Sequence, residues 1–423
     1  MELTLISLVF IAGYVFIAIE HKIKIDKAAS ALITGVLCWL LYYMNQHHSS
    51  ETELRLTEHL GEIAGILFFL MGAMTIVEVV DSHDGFSLIT NLVRTRSKTT
   101  ILILISAITF FLSAILDNLT TSIVMTSLCK KLIHEKEERL WFASMVIIAA
   151  NAGGAWSPIG DVTTTMLWIK GQITAGNIII KTFIPSLVVV VVPLAIMLFR
   201  FRGQKIQRVN SDSQKNSVSD SNIILFSGIG LLIFVPVFKT LTHMPPFMGM
   251  LIALGIIWVI SSLVHINKNP DLRHKFSVAN ALHKIDTSSI LFFLGILLAV
   301  SALQAIGALT GLAEYINRYV SNIYTTGTIL GLMSAIIDNV PLVAAAQGMY
   351  SLDVFPTDHA FWEFLALSAG TGGSAIIIGS AAGVAVMGIE KINFFWYLKN
   401  ISWLALLGFF AGLGAYMLQQ MVF

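Results

Sequence analysis

Apolar runs recur along this chain from end to end, separated by short polar connections. Their lengths come near the roughly 20 residues that a helix needs to span about 30 Å of hydrocarbon. Full spans are predicted near 3–19, 28–44, 61–80, 140–168, 178–199, 223–239, 246–264, 288–308, 360–388 and 398–420. Two further apolar stretches, 99–133 and 325–352, each break on an acid in mid-run, at Asp117-Asn118 and at Asp338-Asn339. Each is either one crossing helix or a hairpin that enters and leaves on the same side.

The Lys and Arg distribution decides between them. With both stretches as hairpins and the N-terminus outside, twenty of the 26 basic residues fall on the inner side. A crossing at 99–129 would instead put the Lys130–Arg139 cluster opposite Arg94, Arg96 and Lys98. Positive-inside sorting prefers the hairpins. Irregular backbone at membrane depth is tolerated only where protein buries it or a cavity borders it, so the hairpins should face the transport path.

Composition agrees: 56% of the 423 residues are hydrophobic and only 12% charged, about half the charged share of a soluble domain. The first run has no basic leader and no small-residue cleavage site, and reads as a retained span. Cys38 and Cys129 lie in apolar surroundings and suggest neither disulfide nor metal. A net charge of +1 argues against a nucleic-acid partner. Without a P-loop, an H-E-x-x-H set or a nucleophile–base pair, neither ATP-driven transport nor an enzyme is expected, and no cofactor.

A polar stretch at 201–222 divides the chain into two parts of one design. Ile66-Leu-Phe-Phe69 returns as Ile290-Leu-Phe-Phe293, Ser113-Ala-Ile-Leu-Asp117-Asn118 as Ser334-Ala-Ile-Ile-Asp338-Asn339, and Gly153-Gly154 with Gly160 as Gly372-Gly373 with Gly379. The expected fold is an all-α polytopic membrane protein of two inverted-topology repeats, 1–200 and 223–423. Each has five spans, one of them broken (140–168 and 360–388), plus a re-entrant hairpin. Inverted repeats with interrupted helices are the usual plan of secondary transporters.

The candidate chemistry sits at those interruptions. A carboxylate at bilayer depth costs on the order of 3 kcal/mol, which argues for use of Asp117 and Asp338. Asp-Asn is also good N-cap chemistry, and the two roles are compatible. Gly153, Gly154, Pro158 and Gly160 unwind the span at 140–168. Around them Asn151, Ser157, Thr163 and Thr164 offer oxygens to a hard cation, and Asp161 adds a third buried acid that suits a proton-titrating partner. The second copy has Ser374 and, in the place of Asp161, Ser380. Thr121 stands one turn beyond the first tip. Glu78, Asp81, His83 and Asp84 read either as a pH-sensitive group or as a solvated helix end, and the stretch after Gly85 as an interfacial helix.

The hairpin motif together with Asn151-Ala-Gly-Gly-Ala-Trp-Ser-Pro-Ile-Gly-Asp161-Val-Thr-Thr resembles NhaD-type sodium–proton antiporters of the ion transporter superfamily, over nearly the whole chain. The resemblance implies a bacterial inner (plasma) membrane carrier, with a scaffold part, a mobile transport part and a homodimeric state. It assigns function to Asp117, Asn118, Asn151, Asp161, Thr163, Thr164, Asn339 and Ser374, and to Asp338 by repeat symmetry. Exchange of Na⁺ or Li⁺ for H⁺ is expected, with Na⁺ at Asp117, Asp161 and Asp338. An arsenite or organic-anion (dicarboxylate) carrier of the same superfamily is the alternative, disfavoured by two negative hairpin tips.

Overall fold

A computed structural model describes residues 2–18, 20–45, 50–86, 95–205, 218–320, 322–336 and 338–422. His47 and His48, the expected interfacial helix (87–94) and the centre of the polar linker (206–217) lie outside the described residues. Among those described, the chain is helical apart from one isolated bridge, Ser97 to Lys205, and eight helices are long and apolar enough to cross a membrane.

In chain order the first copy comprises α1 (Glu2–Ala18), α2 (Lys27–Asn45), α3 (Ser50–Ser82), α4 (Lys98–Leu116), α5 (Asn118–Leu132), α6 (Lys136–Gly154), α7 (Val162–Ile169) and α8 (Ala175–Arg200). The second comprises α9 (Val218–Thr242), α10 (Pro246–Val264), α11 (Thr287–Ala305), α12 (Ala308–Tyr319), α13 (Ile323–Ser334), α14 (Asn339–Met349), α15 (Ala360–Gly372), α16 (Ala381–Glu390), α17 (Phe394–Asn400) and α18 (Ser402–Val422). α3 begins about three turns before the apolar run expected at 61–80. Its extension is polar, opens with Glu51 and Glu53 in the first turn and carries a Glu51–Arg55 pair at i,i+4. Acids there complement the helix dipole and prolong the helix outside the apolar layer.

Packing sorts the helices into two groups. α1, α2, α3, α9, α10 and α11 form one. Its tightest crossing is between α2 and α11, where a Cβ on Gly295 would stand 2.4 Å from backbone atoms of Ala31 and Leu32. Only glycine lets two backbones approach so closely. The two hairpins, the two broken helices, α8 and α18 form the other group. Here the copies interlock: the second hairpin arm of each packs on the second half-helix of the other, α5 on α16 and α14 on α7. The groups meet chiefly where α14 rests against α11 and α12.

The first hairpin's two ends lie together. Lys98 at the start of α4 forms an ion pair with Glu138 in the first turn of α6, which follows α5, and also donates to Gln204 Oε1 at 3.1 Å. At the second hairpin, Tyr324 at the start of α13 packs on Phe364 of the broken helix α15, ring centroids 5.2 Å apart. The outer surface is apolar, with Leu8, Ile33, Ile180, Phe226 and Leu418 among its exposed side chains, as lipid contact requires.

Candidate functional site

Both hairpin tips and both helix breaks converge at one place. In each copy the broken helix is laid on its own hairpin by the same contacts. Ser113 Oγ donates to the Ala150 carbonyl at 2.6 Å, and Ser334 Oγ to that of Ala369 at 2.7 Å. A Cβ on Gly153 would stand 2.3 Å from the Phe110 oxygen, and one on Gly372 2.0 Å from that of Gly331. Ser157 Oγ adds a bond to the Ala114 carbonyl at 2.5 Å. The break itself spans residues 155–161 in the first copy and 373–380 in the second. Each restarts on a capping side chain with nearly the same backbone, Asp161 (φ −145°, ψ 147°) and Ser380 (φ −145°, ψ 152°).

Asp161 is the centre. It is 1% exposed, and donors gather on it from three segments. Its Oδ1 accepts from the Thr163 amide and hydroxyl, both at 2.8 Å. Its Oδ2 accepts from Asn118 Nδ2 of the first tip at 2.6 Å. Asn339 Nδ2 of the second tip lies 3.4 Å from both oxygens. A carboxylate has about four lone-pair sites, so this one is nearly saturated by neutral donors. Hydrogen bonds to the charged form are what let an anion persist in a buried place.

The network continues across the copies. Asn118 Nδ2 also donates to Asn151 Oδ1 at 3.1 Å, and Asn151 Nδ2 donates to Ser374 Oγ and Ser380 Oγ, both at 2.9 Å. Thr164 Oγ1 returns to the Asp161 carbonyl at 2.9 Å and supports the cap. Asn118, Asn151, Asp161, Thr163, Asn339, Ser374 and Ser380 thus form one connected, buried set. Each asparagine can turn its amide and present oxygen in place of nitrogen, which gives the set ligands for a cation as well as donors for an anion.

The other sequence candidates stand at its edge. Asp117 occupies the one-residue turn between α4 and α5 at φ 83° and ψ 157°, backbone space almost reserved for glycine. Its carboxylate takes the Thr120 amide and hydroxyl, each at 2.8 Å. Asp338 caps α14 through the Val340 amide at 3.2 Å and faces Lys27 of α2, 3.7 Å away. Thr121 Oγ1 is buried with no partner among the described residues. His83 is 3% exposed and stacks against His265 and Phe276, so it is not part of a solvated helix end. Burial drives its pKa down to about 4, which keeps the ring neutral at physiological pH.

Three features escaped the sequence reading. Lys27 meets Asp338 from 311 positions away. Glu363, 2% exposed, accepts from Tyr416 at 2.5 Å and is also bonded by Asn177. Arg139 and Glu390 pair across the copies at 2.7 Å. An acid inside the apolar run 360–388 was the available signal for Glu363; the other two depend on tertiary contacts alone.

Comparison with known proteins gives this geometry a context. The sequence profile of the citrate transporter family matches residues 14–370. Sodium/proton antiporter 1 of Arabidopsis thaliana is 45% identical over 413 residues, covering 97% of this chain and 71% of that protein. The Na⁺/H⁺ antiporter NhaD of Alkalimonas amylolytica is 28% identical over 423 residues, covering 93% and 86%. In fold, the crystal structure of the Alcanivorax borkumensis YdaH transporter, described as having an unusual topology, aligns with a TM-score of 0.55 at 13% identity, over 87% of this chain and 88% of that one. This chain is therefore a member of the citrate transporter family within the ion transporter superfamily.

Proposed function

We propose that the protein exchanges Na⁺ (or Li⁺) for H⁺ across the membrane by alternating access, the two cations competing for Asp161. The observation that carries this reading is the single donor-saturated carboxylate where both hairpin tips meet. When Na⁺ enters, Asn118, Asn151 and Asn339 turn their amide oxygens inward, and Ser374, Ser380 and Thr163 add hydroxyl oxygens. When a proton enters, it neutralises the carboxylate. Either cation offsets the charge of Asp161, so the loaded site crosses the low-dielectric layer more cheaply than the empty one. The antiporters among the relatives support the choice of Na⁺ and H⁺. In this reading Asp117 and Asp338 are further cation ligands, and the Lys27–Asp338 pair must open for Na⁺ to reach Asp338. The working unit is a homodimer with its N-terminus outside a bacterial inner membrane.

The test is dequenching of a pH-sensitive dye in inverted vesicles made acidic inside. Addition of Na⁺ or Li⁺ should release protons in the wild type and not in Asp161→Asn, while the variant stays folded in the membrane. Normal exchange by Asp161→Asn would sink the assignment. Silence of the wild type toward every cation across pH 6–9, together with uptake of citrate, would turn the reading to anion transport.

A further inference from the structure

The candidate site uses the tip of the first hairpin but leaves the polar groups below it without a role. Asn118, Thr121, Ser122, Thr126 and Cys129 are buried on α5, and their spacing draws one stripe from the tip to the base of the helix. α5 packs against α6 and α16, which cover that stripe. A helical Ser or Thr commonly returns its hydroxyl to the carbonyl four residues back, as Ser106, Thr109 and Ser144 do on neighbouring helices. Thr121, Ser122 and Thr126 do not: their Oγ atoms are buried and have no partner among the described residues.

The stripe leads to the Arg139–Glu390 pair. Glu390 ends α16 and its side chain is 0% exposed. Its Oε2 accepts from Arg139 Nε at 2.7 Å, whereas Oε1 is buried with no partner among the described residues. Cys129, at the base of α5, lies within electrostatic range of both charges. Buried polar groups without a partner are costly. Four of them between an ion site and the basic face form a lining suited to ordered water. The second copy has no such row: at the equivalent positions of α14 stand Leu342, Val343 and Gln347, whose Nε2 donates to Gln172 and whose Oε1 is the one unpaired atom of the three among the described residues.

We propose that this stripe is a proton path. Resting on the exchange reading above, it joins Asp161 to the face that carries Arg139, with Glu390 as its terminal acceptor and Arg139 holding that carboxylate in place. A hydroxyl both donates and accepts, which is what successive proton hops along a water file require. The proton leaving Asp161 passes to a water bound on the stripe, that water passes another onward, and Glu390 Oε1 receives one and yields it to solvent water. No bond to Na⁺ is made on the way, so the path serves one of the two exchanged ions.

The experiment uses the full-length protein in proteoliposomes and reads two fluxes. Na⁺-driven proton movement is followed with a pH dye, and Na⁺/Na⁺ counterflow with radioactive Na⁺ at equal pH on both sides. In the Ser122→Ala/Thr126→Val double variant and in Glu390→Gln, proton movement should fall about tenfold, a low figure for loss of a proton-transfer group. Counterflow should stay within about twofold, and Thr126→Ser should keep both fluxes. Equal loss of both fluxes in the double variant would mean a packing role and overturn the path; unchanged proton movement would do the same. Wild-type protein that moves neither ion overturns the exchange reading, and the path with it.

Discussion

The two hairpins share a motif and differ in almost everything the motif does. The first turns on a single residue, Asp117, held at φ 83°; the second starts its second arm from Asp338 at φ −47°. Asp117 keeps its carboxylate on its own Thr120, whereas Asp338 turns to Lys27 in the other helix group. Below the tips, one second arm is lined with hydroxyls and the other with Leu342 and Val343. The half-helices that receive them differ in the same sense, since α7 starts on Asp161 and α16 on Ser380. Duplication therefore kept the contacts that lay helix on hairpin, kept an acid at each tip, and placed the acid at the helix restart in one copy only. Two carboxylates in equivalent positions would repel at close range, and a single cation would then leave the site charged.

Moving that acid is the strongest way to break the comparison. Asp161→Ser should reduce Na⁺-driven proton movement to background. Adding Ser380→Asp in the same chain should not restore it, because Asn118 and Asn339 both point at position 161 while Ser380 is engaged by Asn151 and the Gly383 amide. Recovery in the double variant would mean that the copies are interchangeable and that the asymmetry carries no function.

The shared contacts predict equal damage instead. Gly153→Ala and Gly372→Ala each place a methyl within 2.3 Å of a carbonyl oxygen in the arm beneath. Relief requires the backbones to separate, at a cost of about 1–3 kcal/mol each. Thermal melting in detergent should drop by similar amounts for the two variants. A drop in one copy only would show that the helix-on-hairpin seam is not equivalent in the two.

At the tips the prediction is a difference of differences. Asp117→Gly relieves a backbone strain of about 1–3 kcal/mol but loses a cap of about 1 kcal/mol. Asp117→Ala loses the cap and keeps the strain, so it should melt lower than Asp117→Gly. At Asp338, where φ is negative, Gly has no such advantage over Ala and should match it or melt lower. Equal behaviour of Gly and Ala at 117 would remove strain from the account of the first tip.

Much of this was readable along the chain because membrane folds write their spans as apolar runs and their breaks as Gly, Pro and acids. The interruption from Gly153 to Asp161 falls where those residues stand, and the repeated Ser-Ala-Ile motif marks both tips. Rank among the acids was not readable. Asp117, Asp161 and Asp338 look alike in sequence, and only the hydrogen bonds separate a carboxylate met by both tips from one on a local cap and one beside a lysine. Lys27, Arg139 and Glu390 were invisible for a related reason: each sits at the end of an apolar run, where a charge ordinarily means solvent. The length of α3 was missed because its first turns satisfy helix-end electrostatics rather than burial.

The smallest effect concerns the support beneath the second tip. Asp26 stands just before α2; it accepts from the Ala28 amide and from Ser288 in the first turn of α11, both at 2.8 Å. The Ala28 amide first, then the Ser288 hydroxyl, holds its carboxyl below the usual range. A folded-state pKa below the unfolded value of about 3.9 adds stability that is fully present above the unfolded value. That stability is lost as pH falls through the folded one. The side chain is exposed, so solvent screening keeps the effect small. Its place gives it a direction, because the next residue is Lys27, which lies over the Phe292 ring at 4.5 Å and faces Asp338. From pH 5 to pH 3, the protection of the amides of Asn339–Met349 against hydrogen exchange, taken relative to their intrinsic rate at each pH, should fall in the wild type. In Asp26→Asn it should change less over the same interval, while Asn118–Leu132 behaves alike in both proteins. If the first hairpin loosens as much as the second, Asp26 does not act through Lys27, and the two tips are supported in common.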